Sequence, residues 1–197
     1  LPPNDRRASW GLKMPICTFI VSAYERPRQL ACVLYSLLVQ TERDFNIIVT
    51  DNADQCLDTV RSIDDPRIHY MRTIARDCYE SANLAVLRAD GEYLCFPSDD
   101  GYYAPRFLEL MLKYGQGADL IYCDCIWDGT AAEYKYLDVR PALYYIDKGG
   151  FLLRRSLFTE FKGPFGERRA EDGRFIERII QRGIKHRKAP FCGWFHN

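Results

Sequence analysis

Gly91-Glu92-Tyr93-Leu94-Cys95-Phe96-Pro97-Ser98-Asp99-Asp100-Gly101-Tyr102-Tyr103-Ala104-Pro105 is the stretch on which the reading of this chain turns. Tyr93 to Phe96 is an apolar run with the pattern of a buried strand, and Pro97, unable to donate to a sheet ladder, ends it. Two carboxylates, Asp99 and Asp100, follow at once. Open α/β sheets collect ligands at the carboxyl ends of their strands, and oxygen ligands suit a hard cation such as Mg²⁺ or Mn²⁺, which in turn draws phosphates. A plainer reading competes, because Ser98-Asp99-Asp100-Gly101 also has the composition of a solvated turn. On these residues alone the two stand level.

Upstream, strands and helices alternate. Ile16 to Ala23 is a continuous apolar run, as expected of a strand covered on both faces. Tyr24-Glu25-Arg26-Pro27 turns the chain into a helix that opens on Pro27 and carries Leu30, Val33, Leu34, Leu37 and Leu38 on one stripe. Phe45 to Thr50 is a second strand, closed by Asp51-Asn52-Ala53-Asp54, so two strand ends carry acids. A weak helix from Leu57 to Ile63, a strand from Ile68 to Met71 and a helix from Tyr79 to Arg88 lead to Gly91.

Downstream, Pro105 opens a helix with Phe107, Leu108, Met111 and Leu112 inward, and Leu120 to Cys125 is a strand. The pattern then becomes mixed, with short aromatic strands at Tyr134 to Leu137 and Ala142 to Ile146 and a backbone-permissive pair, Gly149-Gly150. Phe151 to Phe161 reads as a strand turning into a helix, followed by a loop from Lys162 to Gly166. Glu171 to Arg182 is a helix stopped by Gly183, and Ile184 to Ala189 a last strand. The expected fold is α/β, one Rossmann-like domain over 14–197 with a mostly parallel central sheet flanked by helices, behind an extension over 1–13.

Composition narrows the function. With 47% hydrophobic and 27% charged residues the 197-residue chain is globular, and its 27 basic and 27 acidic side chains cancel, which argues against nucleic acid as a partner. No apolar run reaches membrane-span length and no signal-peptide pattern opens the chain, so the expected location is cytoplasmic, with peripheral attachment to a membrane left open. The first residue is Leu1 rather than Met, as expected of an excised piece or of a chain lacking its natural start. Eight cysteines are scattered through apolar runs and are expected to be small buried hydrophobes, while the Cys123-Asp124-Cys125 spacing suits neither zinc nor a redox pair.

Five motifs in this order resemble the inverting family 2 glycosyltransferases, over a span from about Pro15 to Gly183. They are the opening strand with Tyr24-Glu25-Arg26-Pro27; Ser36-Leu37-Leu38-Val39-Gln40-Thr41 with the strand ending in Asp51; Ala82-Asn83-Leu84-Ala85 with Gly91-Glu92-Tyr93; Ser98-Asp99-Asp100 in place of the family's Asp-x-Asp; and Glu171-Asp172 after Gly163-Pro164-Phe165. The resemblance implies a nucleotide-diphospho-sugar transferase domain and makes the solvated-turn reading minor.

It also implies roles. Asp51 would bond the base of a UDP-, GDP- or dTDP-linked donor, with Ala23, Tyr24 and Glu25 lining it; the rival for Asp51 is a turn former capping the next segment. Asn83 joins the donor set, with Arg72 or Arg76 as a further contact or a solvated arginine. Asp99 would bond the ribose and Asp100 would ligate Mg²⁺ or Mn²⁺. Ser98 stands where many members carry a first aspartate, but Mg²⁺ often keeps most of its waters, so one carboxylate with diphosphate oxygens can hold it.

Asp172 would be the general base toward the hydroxyl of a carbohydrate, lipid-linked or other acceptor, giving inversion; without the resemblance, Glu171-Asp172 merely favours a helix N-terminus. Glu171, Gly149 and Gly150, with Trp127, Tyr144 and Tyr145, are acceptor-site candidates or core. His196, beside Trp194, is a further metal ligand, a contact to the leaving diphosphate, or a packing residue. A sugar nucleotidyltransferase would want a Gly-rich loop where Ser22-Ala23-Tyr24-Glu25 stands. A non-catalytic nucleotide- or partner-binding module would not need Asp172.

Overall fold

The computed structural model describes residues 14–128, 134–161 and 171–196; the expected extension and the loop from Lys162 to Gly166 lie outside these. The uninterrupted apolar runs become strands covered on both faces: every residue of β1 (Cys17–Ala23) and of β2 (Phe45–Asp51) is buried. Between them, α1 (Pro27–Leu38) starts at its proline and turns Leu30, Val33, Leu34 and Leu37 inward. Then come α2 (Leu57–Ile63), β3 (Ile68–Arg72), α3 (Cys78–Val86) and β4 (Tyr93–Cys95). Asp77 caps α3 by accepting the Tyr79 and Glu80 N–H groups. β1 lies parallel between β2 and β4, and β2 pairs in parallel with β3.

The second half is mixed, as the sequence indicated. It contains β5 (Tyr102–Tyr103), α4 (Phe107–Tyr114), β6 (Leu120–Asp128), β7 (Tyr134–Leu137), β8 (Phe151–Arg154), α5 (Glu171–Ile180) and β9 (His186–His196). The sheet order is β3-β2-β1-β4-β8-β6-β9-β5, with β7 on β6. β8 enters antiparallel between β4 and β6, and β9 runs parallel to β6.

Four sequence expectations need correction. Ala142 to Ile146 is a turn rather than a strand: the Arg140 N–H donates to the Tyr145 carbonyl at 2.9 Å and Tyr144 takes a left-handed φ of 64°. After β8 only a short 3-10 turn at Arg155–Leu157 forms, and no helix runs on to Phe161. The last strand extends past Ala189 to His196, because its pairing with β6 jumps from Cys123↔Ala189 to Asp124↔Cys192 and leaves Pro190 in the bulge, where no ladder bond is asked of it. Cys32 is exposed on α1, whereas Cys17, Cys56, Cys95, Cys123 and Cys125 are buried as expected; all eight cysteines are free thiols. Tyr102 and Tyr103, directly after the acidic pair and Gly101, form β5 against Phe195 and Trp194 of β9, which brings the end of β9 beside that loop. No helix among the described residues is long and apolar enough to cross a membrane.

Candidate active site

The acids gather where the parallel strands end. A bridge between Ser22 and Ser98 ties the loop after β4 to the end of β1, and the Tyr24 N–H donates to Asp99 Oδ2 at 2.8 Å. Glu25 turns the chain in the left-handed region, φ 54°, and the next residue, Arg26, returns its guanidinium to Asp100 Oδ2 and, at 3.4 Å, to Asp99 Oδ1. Burial pushes the Asp99 pKa up against the opposing pull of the Tyr24 N–H. Gly101 is required by space: a Cβ there would sit 2.3 Å from the Trp194 ring. The Ser98 hydroxyl oxygen is buried with no hydrogen-bond partner among the described residues.

Asp51 is fully buried and turned inward. Its Oδ1 accepts from Ala53 and Asp54 N–H, both at 3.0 Å, and its Oδ2 from Cys56 N–H at 2.8 Å and the Tyr70 hydroxyl at 3.0 Å. Four donors fill the lone-pair positions of a carboxylate. Three of these contacts are with its own loop, as in the capping role that stood as the rival reading, and the fourth is with Tyr70 of β3.

A second cluster forms around Asp147. Its Oδ1 accepts from the Gly149 N–H and from Trp194 Nε1, each at 2.8 Å, while Oδ2 lies 2.7 Å from His196 Nδ1. The opposite ring nitrogen, Nε2, faces Asp100 Oδ1 at 3.6 Å. Burial alone would lower the His196 pKa; the Asp147 charge and hydrogen bond, with Asp100 behind them, reverse this and hold it above the usual histidine value.

One residue further along, the Lys148 N–H donates to Asp172 Oδ2 at 3.2 Å, and the Gly173 N–H donates to Oδ1 at 2.9 Å. Asp172, Asp147, His196 and Asp100 are thus linked in one wall. Burial, then the Asp147 charge, push the Asp172 pKa up to about 6 despite these donors and the Lys148 cation. Burial, with the charge of Asp172 next, pushes the pKa of the Tyr79 hydroxyl well above the usual tyrosine value.

The structure brings Ala23, Tyr24, Asp99, Asp100, His196 and Asp172 together, and it places other candidates elsewhere. Gly149 and Gly150 are buried with ordinary φ, not permissive turns open to an acceptor; Gly149 is needed because a Cβ would lie 2.4 Å from Trp194 Cε2. Glu171 is 1% exposed and pairs with Arg178 at 2.6 Å, a contact inside the fold. The Asn83 amide is engaged in both directions with the Phe161 main chain, at 2.9 and 2.8 Å. Arg76 pairs with Glu80 and Arg72 with Asp54. Arg26, Asp147, Lys148 and Tyr79 are the neighbours that the sequence reading did not single out. An acid immediately before the Lys148-Gly149-Gly150 turn was the one signal available for Asp147.

Among the described residues no group of three or more His, Cys, Asp or Glu side chains could hold a metal ion by itself. The donor set of Asp100 and His196, one oxygen and one imidazole nitrogen with the other nitrogen anchored on a carboxylate, fits a divalent cation only when a ligand supplies further oxygens.

The fold is α/β, and its acidic side chains gather at the strand ends, where open sheets of this class collect ligands. The chain belongs to glycosyl transferase family 2, whose model matches residues 18–175. Two relatives named only as uncharacterized glycosyltransferases, from Rickettsia felis and Rickettsia conorii, are 27% identical over 123 residues and 26% over 125, each across 60% of this chain. The chain spans only 20% of the length of these relatives. Among solved structures, S. aureus TarS 1-349 superposes with a TM-score of 0.73 at 16% identity, covering 92% of this chain and 60% of that one. The mannosyltransferase PcManGT from Pyrobaculum calidifontis, in complex with GDP-Man and Mn²⁺, gives 0.73 at 17%, covering 94% and 57%. TarS 1-349 is also solved with UDP and with UDP-GlcNAc.

Proposed function

We propose that this chain transfers a sugar from a nucleotide-diphosphate donor to an acceptor hydroxyl with inversion, using Asp172 as general base. The observation that supports this reading is the relay of contacts from Asp100 through His196 and Asp147 to the Lys148 N–H and Asp172, which connects a desolvated carboxylate to the acidic pair. With a pKa of about 6, Asp172 is ionised at neutral pH and still more basic than an ordinary carboxylate. It takes the hydroxyl proton as the acceptor oxygen attacks the anomeric carbon; the bond to the diphosphate breaks on the opposite face, and its electron pair leaves with the phosphate oxygen.

On the donor side, the Tyr24 main chain fixes Asp99 toward the ribose, while Asp51 shapes the base pocket by holding its loop. Arg26, resting on the acidic pair, is a cation placed to meet the diphosphate charge. When Mg²⁺ or Mn²⁺ is bound, Asp100 and His196 with diphosphate oxygens would hold it, and it would offset charge growing on the leaving group. UDP-GlcNAc in a TarS structure and GDP-Man in PcManGT support a nucleotide-sugar donor of this kind. The acceptor reading moves from the buried glycines to exposed aromatic faces, since Trp127, the register partner of His196, is 44% exposed, and Tyr144 and Tyr145 are 66% and 47%.

The test is turnover of a panel of UDP-, GDP- and dTDP-sugars with Mn²⁺ or Mg²⁺, beside nucleotide binding by calorimetry. Asp172→Asn should lower turnover by about 10²- to 10⁴-fold, the usual worth of a positioned base, with donor affinity held within about threefold. Equal loss of both, or turnover unaffected, contradicts the assignment.

A further inference from the structure

Asp147 has three donors on two oxygens, and they differ in what they need. The Gly149 N–H and Trp194 Nε1 are buried groups that any well-placed acceptor would satisfy. His196 is different: its ring has a second nitrogen, and that nitrogen faces Asp100. A carboxylate on Nδ1 draws the ring proton there and leaves Nε2 with a lone pair. Trp194 fixes the carboxylate in turn, being fully buried, packed at 4.5 Å on Tyr103 and wedged against Gly101 and Gly149.

We propose that Asp147 is a positioning residue that fixes the tautomer and aim of His196, so that Nε2 stands ready beside Asp100 for a divalent cation carried in with the nucleotide diphosphate. This rests on the transferase reading above. It adds a residue that touches neither nucleotide nor cation yet sets how well the cation is held.

Asp147→Asn separates this role from packing. The amide oxygen can still accept from Gly149 and Trp194, but the amide N–H₂ would face His196 Nδ1 as a donor and favour the tautomer with its proton on Nε2. Calorimetry of UDP and GDP with and without Mn²⁺ reads the effect. We expect Asp147→Asn to weaken Mn²⁺-linked nucleotide binding by about 10- to 100-fold and to leave metal-free nucleotide affinity within about threefold. His196→Ala should do the same, and the double variant should bind no more weakly than His196→Ala alone.

Mn²⁺-linked binding unchanged in Asp147→Asn, or losses that add in the double variant, overturns the proposal. No Mn²⁺-linked binding in the unsubstituted chain overturns the cation reading and this inference with it, a result distinct from either. If Asp147→Asn fails to fold, nitrogen NMR of the unsubstituted chain at alkaline pH decides: the proton of His196 should reside on Nδ1, and finding it on Nε2 refutes the role.

Discussion

Asp51, at the end of β2, and Asp172, at the start of α5, are both carboxylates drawn toward the interior, yet their surroundings oppose one another. Asp51 is ringed by four donors from its own loop and Tyr70. Asp172 has two main-chain donors and a neighbouring acid, Asp147, whose charge adds to burial in raising its pKa to about 6. The parallel half of the sheet uses its acid to hold a loop. The mixed half keeps its acid poorly solvated and basic, which is what proton abstraction requires and what stability does not.

Substitution should break this contrast in opposite directions. The largest effect is expected at Asp51→Ala, which strands the Ala53, Asp54 and Cys56 N–H groups and the Tyr70 hydroxyl; we expect a loss of about 3–5 kcal/mol by denaturant unfolding. A loss below about 1 kcal/mol would show that the loop does not depend on this carboxylate.

Asp172→Asn should behave in the other sense. The folded-state pKa of Asp172 lies above its unfolded value, so the native state binds the extra proton and the ionised group costs stability. That cost is absent below about pH 4, develops as pH rises, and is complete above about pH 6. The stability of Asp172→Asn relative to the unsubstituted chain should therefore shift in favour of the variant by about 2–3 kcal/mol between pH 4 and pH 7. A pH-independent difference would remove the basis for calling Asp172 desolvated.

The same division governs what the sequence disclosed. In the parallel half, strands buried on both faces are written as unbroken apolar runs and helices as three-and-four spacings, so β1, α1, β2, α2 and β3 fall close to where they were expected. Across the β5–β9 half the signals conflict. Aromatic residues at Ala142 to Ile146 mimic a strand but lie on a turn, and Pro190 and Gly193 hide a strand that a bulge allows to continue. His196 could be nominated by residue type, but its partner could not. Asp147 is 49 residues away in the chain and meets it only because β9 carries the terminus back past the 3-10 turn at Lys148–Gly150. Likewise Glu171 and Asp172 are neighbours in sequence, and only the helix geometry assigns one to Arg178 and the other to the Lys148 N–H.

The central claim is that Asp172 is a desolvated base facing the same cleft as Asp99 and Asp100, and the pH dependence of kcat/KM for transfer tests it most directly. The account predicts an acid limb half-complete near pH 6 that disappears from the residual activity of Asp172→Asn. A limb near pH 4, or one at pH 6 that survives the substitution, would contradict it.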